Sequence, residues 1–216
     1  MGGVLLYNFQ NRSASLSYRQ NYLTGGMAYK HLDLVWPTGA TGAAVAGYRH
    51  YGNLDYHEQQ VTGGYAVRAA SWLHVGVAMR YLHLGTSDAC YRPQQWLAGS
   101  VLLHAQAGGS TTLTVAAGSR PWDDSRPYLW HLTATYRPLP QLITVVEAES
   151  EERLRFRLGM EYSYRERIFV RTGFATQPVV LGFGLGIRQP HYAIDLAVDV
   201  HNVLGITPHT TLTLWF

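Results

Sequence analysis

The stretch Arg153-Leu154-Arg155-Phe156-Arg157-Leu158-Gly159-Met160-Glu161-Tyr162-Ser163-Tyr164 decides the fold class. Its odd positions are charged or small: Arg153, Arg155, Arg157, Gly159, Glu161 and Ser163. Its even positions, Leu154 to Tyr164, are all apolar or aromatic. Side chains on a β-strand alternate between two faces, so this is a strand with one polar and one apolar face. A common soluble strand runs about 5–6 residues, and the alternation here is about twice that. A tilted strand crossing a bilayer needs about 9–11 residues.

The same period recurs outward from this stretch. Ile194, Leu196, Val198 and Val200 alternate with Asp195, Ala197, Asp199 and His201. Phe183, Leu185 and Ile187 alternate with Gly184, Gly186 and Arg188. Leu73 to Tyr81 and Thr210 to Phe216 repeat the pattern, and no long window carries a capped helical period. Turn-forming residues divide the chain at Thr38-Gly39-Ala40-Thr41-Gly42, Gly108-Gly109, Pro138-Leu139-Pro140 and Gln189-Pro190-His191. Strands are expected at roughly 12–21, 26–36, 43–52, 56–69, 73–85, 95–107, 110–118, 127–137, 141–150, 153–164, 167–176, 179–189, 192–201 and 208–216. No linker or charge run marks a second domain. The expectation is a single domain over 1–216, with 1–11 a periplasmic or lumenal tail.

Alternation alone does not separate a soluble sandwich from a membrane barrel, since both have period two. Strand length, aromatic residues at strand ends (Trp36, Tyr81, Tyr136, Tyr162, Tyr164, Trp215) and small residues on the polar face (Gly76, Gly159, Gly184, Gly186) favour the barrel. Composition agrees. Charged residues are only 14% against about 25% in an average soluble domain, yet mean hydropathy is only −0.10. No run reaches the ~18 consecutive apolar residues of a membrane helix. The fold class is therefore all-β, an antiparallel transmembrane β-barrel of about fourteen strands, with twelve the alternative. With the C-terminus in the periplasm, the tight turns near 108–109, 138–140, 165–166 and 190–191 share one end. The longer connections 86–94, 119–126 and 202–207 share the other, as bacterial barrels require.

The net charge is +3 and the pI about 9.0. Lys30 is the one lysine among 17 basic residues, and the arginines spread along the chain instead of forming a patch. That distribution argues against nucleic acid as a partner. The single cysteine, Cys90, excludes an intrachain disulfide and a cysteine-based zinc site. Met1-Gly2-Gly3 lacks a basic stretch followed by an apolar one. It reads as a mature chain with a replaced start, or as one not exported by the signal-peptide route.

The terminal stretch Thr210-Thr211-Leu212-Thr213-Leu214-Trp215-Phe216 resembles the last strand of bacterial outer-membrane proteins, where alternating apolar residues end in an aromatic one. That resemblance implies that Leu212, Leu214, Trp215 and Phe216 form an assembly signal read by the outer-membrane assembly machinery. Tyr48-Arg49-His50-Tyr51-Gly52-Asn53-Leu54-Asp55-Tyr56, Gly64-Tyr65-Ala66-Val67-Arg68 and Leu73 to Tyr81 are similar to the middle of PorV/PorQ-type barrels, part of the FadL-like superfamily. The ending Asp199-Val200-His201-Asn202-Val203-Leu204-Gly205 is similar to that group too. The resemblance covers about 25–85 and 179–216. It implies fourteen strands and, for the PorV/PorQ branch, a place beside secretion machinery. The chain departs from the fatty-acid transporters of the superfamily in having no evident plug segment or long surface loops.

Glu147 and Glu149 share a face, as do Arg153, Arg155 and Arg157. A turn at 150–152 would set Glu149 against Arg153 and Glu147 against Arg155. With Glu161, Arg188, Asp195 and Asp199 these residues are expected to form a lumen charge network, either a ladder that fixes the lumen or a selectivity ring. Interlocked, they would occlude it. Ten histidines show no metal-ligand spacing and no phosphate-cradling glycine loop is present, so no metal or cofactor is expected. Asp199 and His201 lie two apart on one face, compatible with an acid–base pair, but no nucleophile motif accompanies them. The chain reads as non-enzymatic. The leading expectation is an accessory subunit of a larger secretion or assembly complex in the bacterial outer membrane. The alternative is a passive pore or hydrophobic-ligand transporter.

Overall fold

A computed structural model describes residues 11–26, 28–88, 90–150 and 153–216. Within them lie fourteen strands: β1 (Ser13–Gln20), β2 (Ala28–Pro37), β3 (Gly42–Gly52), β4 (Tyr56–Ala70), β5 (Leu73–Thr86), β6 (Gln94–Ala107), β7 (Thr111–Ser119), β8 (Tyr128–Leu139), β9 (Leu142–Ser150), β10 (Leu154–Tyr164), β11 (Ile168–Ala175), β12 (Val180–Arg188), β13 (Tyr192–His201) and β14 (Gly205–Trp215). Each pairs antiparallel with its sequence neighbours, and β1 pairs with β14 to close the barrel. At the seam Ser13 lies opposite Trp215 and Arg19 opposite His209, with Ser15–Thr213 and Ser17–Thr211 hydroxyl pairs at 3.0 Å on its inner side. Residues 1–10 of the expected tail lie outside the described residues.

The expected strands and the observed ones coincide to within three residues. The largest difference is β14, which begins at Gly205 instead of 208. The expected long connection 202–207 is therefore a short turn, 202–204. The breaker that misleads here is Pro208. It pairs with Val198 on β13, just past the last β1 partner of β14 at His209. There β14 has a free edge, the place where a strand tolerates proline.

The connections 38–41, 71–72, 108–110, 140–141, 165–167 and 189–191 gather at the end that carries Ser13 and Trp215. At one of the tightest of these, Gly108 adopts φ +73, a conformation that side chains disfavour. The opposite end carries 21–27, 87–93 and 120–127, the longest connections, together with several short ones.

The alternation maps onto the wall as a barrel requires. Leu154, Phe156, Leu158 and Met160 are exposed on the outside, Leu158 by 47%. Their odd neighbours face inward, where Arg157 meets Glu147 and Glu149. The largest buried side chains of a soluble core are missing: buried apolar residues among those described are mainly alanines, such as Ala43, Ala66, Ala98 and Ala116. A wall of exposed Leu, Val, Phe and Ile around the whole circumference is incompatible with water and is what a bilayer solvates. Trp36, Trp72, Tyr136, Tyr164 and Tyr192 ring the terminus end of that wall, and Tyr18, Tyr48, Tyr128 and Trp130 ring the other. Trp215 is a correction to the expected girdle. It pairs with buried Ser13 and follows the inward set Thr211 and Thr213, so it is half-buried on the lumen side.

Candidate functional site

Inward-facing side chains divide the lumen wall into two unlike arcs. A band across β2–β7 has a small, apolar inner face, Val35, Ala43, Val45, Ala66, Ala98 and Ala116, with Arg68, His74 and His104 inward on the terminus side of it. From β8 round to β1 it is charged. Arg157 makes a two-pronged contact with Glu149, Nη1 to Oε2 at 3.0 Å and Nη2 to Oε1 at 2.6 Å, and its Nη1 also donates to Glu147 at 3.2 Å. Arg155 Nη1 stands 3.9 Å from Glu149, and His131 Nε2 3.7 Å from Glu147. The expected pairing is thus displaced by two residues. Arg155 lies opposite Glu149 and Arg157 opposite Glu147, and Arg153 sits exposed ahead of β10, outside the ladder. A two-residue slip keeps every side chain on its own face, so the alternation alone does not distinguish the two registers.

A second cluster centres on Arg171, which is absent from the expected network. Its Nε donates to Glu161 at 2.5 Å, and its Nη1 to Asp195. Glu161 is directly opposite on β10, but Asp195 is two strands away on β13. A signal for it exists in the sequence: Arg171 falls on the inward parity of its strand, opposite the side-chain-free Gly184. A third cluster joins Asp199 to His209 at 2.9 Å and to Arg19 at 3.6 Å across the seam. His201 does not join Asp199. Its Nδ1 accepts the backbone N–H groups of Val203 and Leu204 at 3.1 and 3.0 Å, capping the turn. The two side chains are therefore not assembled as an acid–base pair.

Arg188 also stands apart from the carboxylates. Its guanidinium lies 4.6 Å from the Phe169 ring centroid and 5.9 Å from that of Trp215, a cation–π arrangement at the terminus end. Leu212 and Leu214 face outward, and Phe216 is exposed with its N–H donating to the Arg12 carbonyl at 3.1 Å. Among the described residues no cluster of three or more His, Cys, Asp or Glu is arranged to hold a metal ion.

The ion pairs named above join residues one or two strands apart along the wall, and the expected interlocking does not fill the lumen. Cavities remain between the described residues. One of about 610 Å³ lies between Arg19, Arg155, Arg157 and Asp199. One of about 390 Å³ lies toward the end away from the termini, lined by Tyr29, Tyr51, Leu82, Trp96, Trp122 and Leu129, with three arginines, Arg49, Arg80 and Arg120, against two carboxylates, Glu58 and Glu149. His131 borders both. A smaller one, about 90 Å³, sits against the small apolar arc and shares Arg49 and Arg80 with the second. Trp122 comes from the 120–127 connection and packs edge-on against Trp96, centroids 6.2 Å apart. That connection is tied by Asp123, which accepts from the Ser125 hydroxyl at 2.6 Å and from the Arg126 N–H at 3.1 Å. The Ser125 hydrogen bond is the main reason that its carboxyl is held below the usual carboxylate range.

No protein-family model matches the chain, and no curated protein does. Solved structures match in fold. The toluene transporter TbuX of Ralstonia pickettii shares 13% identity at a TM-score of 0.70, over 100% of this chain and 90% of that one. The CymD monoaromatic hydrocarbon channel shares 12% at 0.66, over 95% and 88%. The outer membrane protein Omp33 of Acinetobacter baumannii shares 11% at 0.65, over 97% and 100%. At these identities the likeness is one of architecture: this chain is a closed, all-β barrel of the outer-membrane kind.

Proposed function

We propose that the protein is a passive channel of the bacterial outer membrane for small solutes, non-enzymatic, with its C-terminus on the periplasmic side. The observation that carries this reading is the pair of lumen cavities of about 390 and 610 Å³ that both border His131. Flat aromatic surfaces beside Arg49, Arg80 and Arg120 suit a small amphipathic anion, an aromatic carboxylate being the simplest, better than a bare hydrocarbon. The likeness in fold to a monoaromatic hydrocarbon channel and a toluene transporter supports passage of small aromatic solutes. The accessory-subunit reading rests on residue resemblance to PorV/PorQ-type barrels and on the short connections. No feature of the lumen favours it, and an assembly-signal role for Leu212, Leu214, Trp215 and Phe216 is compatible with either.

Reconstitution into planar bilayers tests the proposal. Stable single-channel currents, with a reversal potential favouring anions and a block by millimolar benzoate, are expected. A silent barrel that co-purifies with a much larger outer-membrane partner would defeat the channel and promote the accessory role.

A further inference from the structure

A row of polar residues crosses the outside of the barrel at the end away from the chain termini. Register places Tyr18, Lys30, His50, Gln59, His83 and Gln95 side by side on β1 to β6, all on the outward parity. The next outward row toward the termini is Leu16, Leu32, Tyr48, Val61, Tyr81 and Leu97, wholly apolar or aromatic. The step from one row to the other marks the edge of the hydrocarbon. One row further out, His57 stands between Gly52 and Gly85. Its ring lies 6.3 Å from that of His50 with planes 3° apart, and 6.0 Å from that of His83.

The patch is one-sided. Lys30, the only lysine, is exposed within it. Across the barrel the corresponding end of the wall presents residues such as Trp130, Leu154, Phe174, Leu181 and Val200. The acidic residues of the described strands all lie on the inward parity, so no strand carboxylate competes for the Lys30 ammonium or the imidazole N–H groups. A general interfacial girdle would run round the circumference and use aromatic residues.

We infer that Lys30, His50, His57 and His83 form a binding site for a phosphate-bearing lipid headgroup in the leaflet at that end of the barrel. Lys30 and His83 are three strand spacings apart, about 14 Å at ~4.8 Å each. That span accommodates a headgroup with more than one phosphate. Imidazole N–H groups and the Lys30 ammonium donate to phosphate oxygens, while the apolar row beneath packs the acyl chains. The inference does not rest on the channel reading, because the site lies on the outer wall. The orientation proposed above makes its leaflet the outer one.

Native mass spectrometry of the purified barrel with bis-phosphorylated lipid A, and with its dephosphorylated form of the same acyl chains, tests the site. The wild-type protein is expected to retain the phosphorylated form at least tenfold better. A Lys30→Gln/His50→Gln/His83→Gln variant is expected to lose that preference, and Lys30→Gln alone to lose about threefold. Arg12→Gln, beside Trp36 at the other end, is expected to leave it unchanged. Conductance is expected to be the same in all of them. Folding is read from heat-modifiable gel mobility. Equal retention of both lipids by the wild-type barrel, or an undiminished preference in either folded Lys30 variant, would overturn the inference.

Discussion

Arg171 on β11 and Asp195 on β13 form an ion pair across an intervening strand. The pair is possible because β12 presents Gly184 and Gly186 beneath it. A Cβ at Gly186 would stand 3.3 Å from Arg171 Nη1, and one at Gly184 3.5 Å from its Cβ. The lumen glycines therefore serve as floor space for a side chain anchored on the next strand.

Gly186→Val is accordingly expected to displace the pair and to destabilise the barrel by about 1–3 kcal/mol, the scale of a hydrogen bond to a charged group. Urea unfolding in detergent measures it. Gly159→Val is expected to be milder, because a Cβ there would meet nothing closer than the Thr172 carbonyl oxygen at 3.9 Å.

The two faces of β10 give opposite responses to charge. Leu158→Arg places a cation in hydrocarbon and is expected to cost roughly 2–4 kcal/mol near mid-membrane. Arg157→Leu removes a lumen cation and is expected to cost less. Folded yield after refolding into lipid vesicles ranks the two, and the reverse order would mean the faces are exchanged.

The register of β9 on β10 is open to a double-mutant cycle. Glu149→Ala with Arg157→Ala, a diagonal pair in this register, is expected to show coupling of about 1 kcal/mol, the upper range for cross-strand charge pairs on a sheet. Glu149→Ala with Arg153→Ala is expected to be additive within ~0.3–0.5 kcal/mol. Coupling in the second cycle would restore the turn at 150–152.

Arg80 is buried and borders both the 90 and the 390 Å³ cavities. Arg80→Ala is expected to raise single-channel conductance and weaken anion preference together. Conductance unchanged or lowered would remove Arg80 from the path.

Much of this architecture is legible in the residues. Breakers and period two locate every strand, because a bilayer-crossing wall must alternate along its whole length. What alternation lacks is an absolute register. Shifting β10 by two keeps Arg155 and Arg157 inward but changes their partners, which is why the pattern draws Arg153 into a network it does not join. Arg171 escapes the pattern for a related reason: its second partner is neither local nor on an adjacent strand. Trp215 shows the reverse case. The alternation already groups it with Thr211 and Thr213, and a girdle role follows only if residue type is allowed to outrank parity.

The hydroxyl-lined seam between β1 and β14 makes the sheet a hoop. A hoop has no spare edge: a flat sheet that loses its last strand is a smaller sheet, whereas a ring cut once is no longer a ring. Ser15, Ser17, Thr211 and Thr213 are modest as individual contacts, yet they sit where the circumference is either complete or open. Damage of equal size elsewhere on the wall loosens one ladder, but damage at this joint exposes two unpaired strand edges to lipid at once.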